Sequence, residues 1–374
     1  MRRSSRVLIK IIVAGCAVAV WSAIASAETV ELRGGIAPVN ADRVAFEPGG
    51  LRVTRSGGST VLIAWDEVRG VSGVTLKESE KAQLQLAEDL WRARSRVQRR
   101  DLGMAMPLFE KHFPALRGTT SETALIAAEG LLRCRLASQD WMRAIVPALE
   151  TARLRRAGIS TNRYADNLPV LDDTTFLCPD LPPAWEVSEQ TRAIASEIEA
   201  LPDTDADVAR VAQLYVALLR GEPVPPAAKR DEGGAALLAA IGAVSASRGS
   251  GDDERFSKAR ASALAASKNL PPWAFAWVQH AIGRARVGES DPAARIDGTL
   301  ALLRVPALGA AAPPRLVRES LVLAIGTMKS LGDAESAAAL EREIATLGGG
   351  RSIRPTPVPP ATVSPTTPPA PGNP

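Results

Sequence analysis

The sequence predicts a mainly α protein in which helical hairpins stack as a solenoid, preceded by a small N-terminal antiparallel β domain. Three observations predict it. From residue 76 onward, apolar residues recur at helical spacing, in segments joined by short polar turns. Residues 28–73 instead alternate apolar and polar, the period of a strand. Hydrophobic residues make up 46% of the chain and aromatics only 4%, with alanine abundant. That mixture favours closely packed helices over a sheet-rich body.

Residues 1–27 read as a secretory signal peptide. Arg2, Arg3 and Arg6 give a basic start, 8–24 is largely apolar, and Ala25-Ser26-Ala27 is a small-residue cleavage site. A second reading uses Val13-Ala14-Gly15-Cys16, which resembles a lipoprotein box and would place a lipid on Cys16. The residues after Cys16 stay apolar, where such a box is usually followed by polar ones. Either way the protein is expected to be periplasmic or extracellular, touching the membrane only through this segment. The formal charge of +4 comes from 45 basic and 41 acidic residues. Residues 1–27 hold four of the bases and no acid, so cleavage leaves a balance of zero. The balance therefore gives no support to a nucleic-acid partner.

Residues 28–75 form the β domain. Val30 and Leu32, Val44 and Phe46, Leu51 and Val53, and Val61, Ile63 and Trp65 mark four strands, with 68–71 a short fifth. Pro48-Gly49-Gly50 and Ser56-Gly57-Gly58-Ser59 are turns between them. The layout is similar to SH3-like and Sm-like small barrels. At this size it is expected to pack on the helices.

Residues 76–156 carry two helical hairpins, 79–99 with 102–116 and 121–137 with 140–156. Pro107 and Pro147 fall inside helices, where each is expected to kink the helix or delay its start. Residues 157–187 lose all periodicity and contain four prolines. Two readings stand: a strap packed across the helices through Leu168, Leu171, Phe176, Leu177 and Trp185, or a functional segment.

Residues 188–348 resume the helical pattern. Helices are expected at 188–201, 205–220, 235–247, 253–267 and 272–287. Another begins at Asp291 and breaks near Val305-Pro306. The clearest hairpin spans 315–347. Val317, Leu321, Ala324 and Met328 make one stripe, and Ala337, Leu340, Ile344 and Leu347 the other. Gly332 suits the left-handed turn between them, and Asp333 caps the second helix. As a core residue, Leu340 truncated to Ala is expected to cost about 2–5 kcal/mol. As the last hairpin, this unit is expected to cap the stack. Residues 349–374 are rich in proline and threonine and have few charges, the composition of a disordered tail.

Several hairpins share one spacing. Asp101 with Ala105, Asp140 with Ala144, and Asp333 with Ala337 each place an alanine four residues after a turn acid, and Ala93 and Phe109 fit the first pair. In this the chain resembles tetratricopeptide-like repeats, which implies a superhelical stack that binds proteins or peptides. It departs from that family in two ways. Asp101 and Asp140 are 39 residues apart, against a family period of about 34. Glu341 stands where the family prefers an aromatic residue.

Candidate chemistry is sparse. Only His112 and His280 are present, which weighs against a multi-histidine metal site. The chain has no G-x-S-x-G elbow, phosphate-binding loop, H-E-x-x-H or C-x-x-C, and no cofactor is implied. Trp273, Trp277 and His280 lie at i, i+4 and i+7, with Arg284 one turn further. They form either an aromatic groove for a peptide or sugar ring, or part of the core. Asp172, Asp173 and Asp180 either contribute to a cation site or are solvated loop acids. Cys134 and Cys178, 44 residues apart, either form a disulfide or are two buried thiols.

The functional expectation is an exported, non-catalytic scaffold or adaptor that binds a protein or peptide partner in the cell envelope through its helical surface. The alternatives are an envelope enzyme acting on glycan or peptide at the Trp273–His280 face or the 157–187 segment, and a structural component assembled through the β domain.

Overall fold

A computed structural model of the chain describes residues 28–183, 186–202, 205–228, 231–248 and 252–348. Residues 1–27, expected to be a signal peptide, with Cys16 among them, lie outside the described residues, as do Trp185, the stretch beyond 348 and the side chain of Leu347.

Among the described residues there are six strands: β1 (Glu28–Leu32), β2 (Val39–Ala41), β3 (Arg43–Glu47), β4 (Gly50–Thr54), β5 (Thr60–Ile63) and β6 (Val68–Ser72). They form two three-stranded antiparallel sheets, ordered β2-β1-β6 and β3-β4-β5. Alternation explains their packing: Val30, Leu51, Val53 and Trp65 turn inward and are fully buried. The 3-10 turn Trp65–Glu67 seats this domain on the helices. The Trp65 amide donates to Thr123 Oγ1 at 3.0 Å, and the indole N–H to the Glu47 carbonyl at 3.0 Å.

Twelve helices follow among the described residues: α1 (Glu78–Gln98), α2 (Leu102–Leu116), α3 (Glu122–Ala137), α4 (Trp141–Arg156), α5 (Glu189–Glu199), α6 (Ala206–Arg220), α7 (Gly233–Ala246), α8 (Asp253–Ser267), α9 (Pro272–Val287), α10 (Pro292–Ala307), α11 (Pro314–Ser330) and α12 (Ala334–Gly348). Each packs against its neighbours in sequence, and α1 also meets α3, α7 meets α9, and α9 meets α11. Consecutive pairing of this kind is compatible with a helical-repeat solenoid.

The hairpin spacing has a structural counterpart. The α1–α2, α3–α4 and α11–α12 turns each place one residue in the left-handed conformation, Arg100 (φ 62°), Gln139 (φ 61°) and Gly332 (φ 84°). The next residue, an aspartate each time, donates its amide five residues back, to Arg96, Arg135 and Met328 carbonyls. That is the Schellman closure of a helix. The alanine four residues after each aspartate (Ala105, Ala144, Ala337) is buried where the two helices meet. Arg100 and Gln139 adopt a conformation that suits glycine, at a cost of about 1 kcal/mol each.

Helices α2 and α4 do not start late: Pro107 and Pro147 lie inside them, and α2 also contains Pro114. Helix α10 carries Pro306 in its last turn and ends at Ala307, next to the expected break at Val305-Pro306. Proline removes one hydrogen bond there, while Val305, fully buried, stays packed. Leu340 is only half-buried, because α12 contacts chiefly α11 and leaves its outer side to water.

Segment 157–183 packs as an ordered strap. The Tyr164 hydroxyl donates to the Ile126 carbonyl at 2.9 Å, and Arg133 donates to the Leu168 carbonyl at 2.9 Å. Tyr215 of α6 and Trp277 of α9 donate to the Leu181 and Pro179 carbonyls, at 3.1 and 3.0 Å. Leu171, Leu177, Cys178 and Leu181 are buried. Leu168, expected inside, is 77% exposed. Helix α3 fits the strap tightly: a Cβ on Gly130 would stand 2.3 Å from Phe109 and 2.6 Å from the Tyr164 hydroxyl.

Candidate functional site

The residues singled out as a possible aromatic groove lie in the core. Trp273 is 7% exposed, Trp277 1% and His280 1%; Arg284 is half-buried. The two indoles meet edge to face with centroids 4.8 Å apart. The reason is the position of α9, which packs against α7, α8, α10 and α11. A helix covered on several sides has no free groove. The sequence carried this signal: from Trp273 to Gly283, Gln279 and His280 are the only strongly polar side chains, the pattern of a helix buried all round.

His280 Nδ1 lies 2.8 Å from the hydroxyl of Ser320, which is itself fully buried. Burial, then the nearby Arg284 and Arg315 charges, lower the His280 pKa to about 3. The serine–histidine contact is therefore part of the core between α9 and α11. His112 is held elsewhere, with Nε2 2.9 Å from Asp89 Oδ2, an oxygen that also takes a bond from Lys111 at 2.8 Å. Asp89 is pulled below the usual carboxylate range by its hydrogen bonds from Lys111, His112 and Gln85, which outweigh the opposing effect of burial.

The loop acids divide into different jobs. Asp172 Oδ1 accepts from the Thr174 and Thr175 amides and the Thr175 hydroxyl, holding the strap's own turn. Asp173 is exposed and pairs with Arg155 at 3.4 Å. Asp180 is raised above the carboxylate range by burial, which Arg315 partly offsets. Among the described residues, no group of three or more His, Cys, Asp or Glu side chains is placed to hold a metal. Cys134 and Cys178 are both free and buried, so the possible disulfide is not formed. Burial pushes the Cys134 thiol up to about 12 and raises Cys178 as well, which leaves both unreactive.

The feature that sequence reasoning missed is a pair of adjoining hollows. The larger, about 690 Å³, lies over α4, α5 and α6. Leu149, Ile198, Leu201 and Val208 give it an apolar floor, and Arg153, Glu199 and Arg210 stand among them. The smaller, about 260 Å³, continues it over the strap residues Thr174–Phe176 toward Gly233 and Gly234 of α7. Val208 and Arg210 line both.

The charges around the hollows are fixed by partners. Arg153 forks onto Glu150 with both bonds at 2.7 Å and donates to the Thr119 carbonyl at 2.8 Å. Arg210 holds Asp231 at 3.1 Å and the Pro226 carbonyl at 2.9 Å. Arg156 pairs with Asp205 and Asp207 and covers the Phe176 ring at 5.2 Å. Asp205 also caps α6, accepting from the Asp207 and Val208 amides. The result is a hollow of mixed apolar and polar lining whose arginines are each held by partners. Such a surface suits recognition of a chain segment.

No protein-family model, curated protein or solved structure matches the chain. Among the described residues, no helix is long and apolar enough to cross a membrane.

Proposed function

We propose that the protein is an exported scaffold or adaptor that holds a peptide segment of a partner protein in the hollow over α4, α5 and α6. One observation carries this reading. The hollow has the size of a ligand site, an apolar floor and a rim of oriented polar groups. Helical hairpins stacked in sequence order commonly present such concave surfaces to partner chains. The recurring turns at Asp101, Asp140 and Asp333 support reading the hairpins as divergent tetratricopeptide-like repeats. Export rests on residues 1–27 of the sequence.

The test is selection of binders from a displayed library of random peptides, using the full mature chain. Ala212 lines the hollow and is half-buried. Ala212→Arg should fill the hollow, keep the fold by circular dichroism, and weaken selected peptides at least about tenfold, or about 1.4 kcal/mol. Lys258→Glu, at an exposed position of α8, should leave them unchanged. If no peptide is selected, or Ala212→Arg binds as well as the parent, the proposal fails.

A further inference from the structure

The joint between the β domain and the helices is built around a carboxyl that water does not reach. Asp66, in the 3-10 turn Trp65–Glu67, is 0% exposed. Arg94 of α1 places its Nε 3.0 Å from Asp66 Oδ2, and Arg163 of the strap places its Nε 3.3 Å from the same oxygen. The separations are those of ion pairs, but the directions miss. Neither carboxyl oxygen has a hydrogen bond, and neither does either Nε.

Arg163 is shared among several acids. Arg163 also bonds Glu67 and lies 3.9 Å from Glu122 at the start of α3. Glu122 in turn accepts from the Thr161 hydroxyl at 3.0 Å. The charged and titratable groups facing Asp66 are therefore Arg94 from α1, Arg163 and the Tyr164 phenol from the strap, Glu122 from α3, and Glu67 from its own turn. Two cations attract the carboxylate, two neighbouring carboxylates oppose it, and burial removes its hydration.

We propose that Asp66 is a proton-binding latch: closing the β domain onto α1, α3 and the strap takes up a proton, so mild acidification tightens the docking and neutral pH loosens it. This device is independent of the peptide-binding hollow. Burial raises Asp66 to about 6, against the pull of Arg163 and Arg94, from an ordinary value of 3.8. A carboxyl raised in the closed state stabilises that state fully below its ordinary value. The contribution is lost as pH rises from about 4 through about 6. A gap of roughly two units corresponds to a roughly hundredfold change in the closing equilibrium. His280 acts in the opposite sense. Its pKa is lowered to about 3, so α9 loses stability as pH falls below the usual histidine range. Whole-chain melting would mix the two effects, and a local measurement separates them.

Two amides bracket the joint: Trp65 N–H, bonded across it to Thr123 Oγ1 of α3, and Arg33 N–H, bonded within the β domain to the Glu67 carbonyl at 2.8 Å. Their hydrogen exchange is measured on the full mature chain at about pH 5 and about pH 7.5, corrected for intrinsic rates, together with the carbon-13 shift of the Asp66 carboxyl. The carboxyl should titrate near 6, and the Trp65 amide should be better protected at about pH 5 than at about pH 7.5 by roughly tenfold, since the full effect is reached only below about pH 4. Asp66→Asn, permanently neutral, should keep acid-like protection at both pH values. The proposal is overturned if the carboxyl titrates in the ordinary range, if protection at the joint does not rise on acidification, or if a folded Asp66→Asn protein retains the pH dependence. If that variant does not fold, the wild-type titration and exchange decide alone.

Discussion

The strap and the C-terminal hairpin invert what their sequences suggest. The hairpin α11–α12 has the most regular pattern in the chain, yet α12 lies at the edge with Ala337 its one fully buried residue among those described. The strap has no period at all, yet it buries Tyr164, Leu171, Leu177, Cys178 and Leu181 and is pinned to α3, α6 and α9. Periodicity records a segment with one face in water and one in protein. A segment covered on several sides has no reason to alternate. A regular stripe therefore marks the boundary of the core, and an apolar, aperiodic stretch can mark its centre.

Three substitutions put that inversion to the test. The largest effect is expected for Trp277→Ala, which removes a buried indole and leaves the Pro179 carbonyl without its donor. A loss of about 4 kcal/mol in denaturant unfolding is expected, as for other buried aromatics. A stable variant would return Trp277 to the exposed groove that the sequence allowed. Next comes Leu177→Ala in the strap, at 2% exposure. It should cost about 3 kcal/mol, and a loss below about 1 kcal/mol would show the strap to be a surface covering. Smallest is Leu340→Ala in α12, half-buried against α11. It should cost about 1 kcal/mol, since only part of the side chain leaves contact. A loss as large as that of Leu177→Ala would erase the difference between the two regions.

The candidate hollow illustrates a second limit. Its residues Leu149, Ile198, Leu201 and Val208 look in sequence like ordinary stripes of amphipathic helices. The helices themselves are legible, and 102–116, 253–267 and 272–287 have the expected bounds. What sequence does not state is how far α5 and α6 stand from α4, and that spacing makes the hollow. Asp66 is similar. In sequence it follows Trp65 at the end of a strand; only the arrival of Arg94 from α1 and Arg163 from the strap makes it a buried carboxyl between two cations.

By itself, then, the sequence determined the order of local structure: strands while side chains alternate, helices once apolar residues recur every three or four. It also marked the three Asp-to-Ala turns, because left-handed closure and an alanine at the helix contact are local requirements. Tertiary structure alone decided which apolar residues are enclosed, which charges meet, and where a hollow remains. Those depend on segments far apart in the chain, as Trp277 and Pro179 or Arg163 and Asp66 show. A local pattern fixes the direction in which a side chain points along its element; it does not fix what will be packed against it.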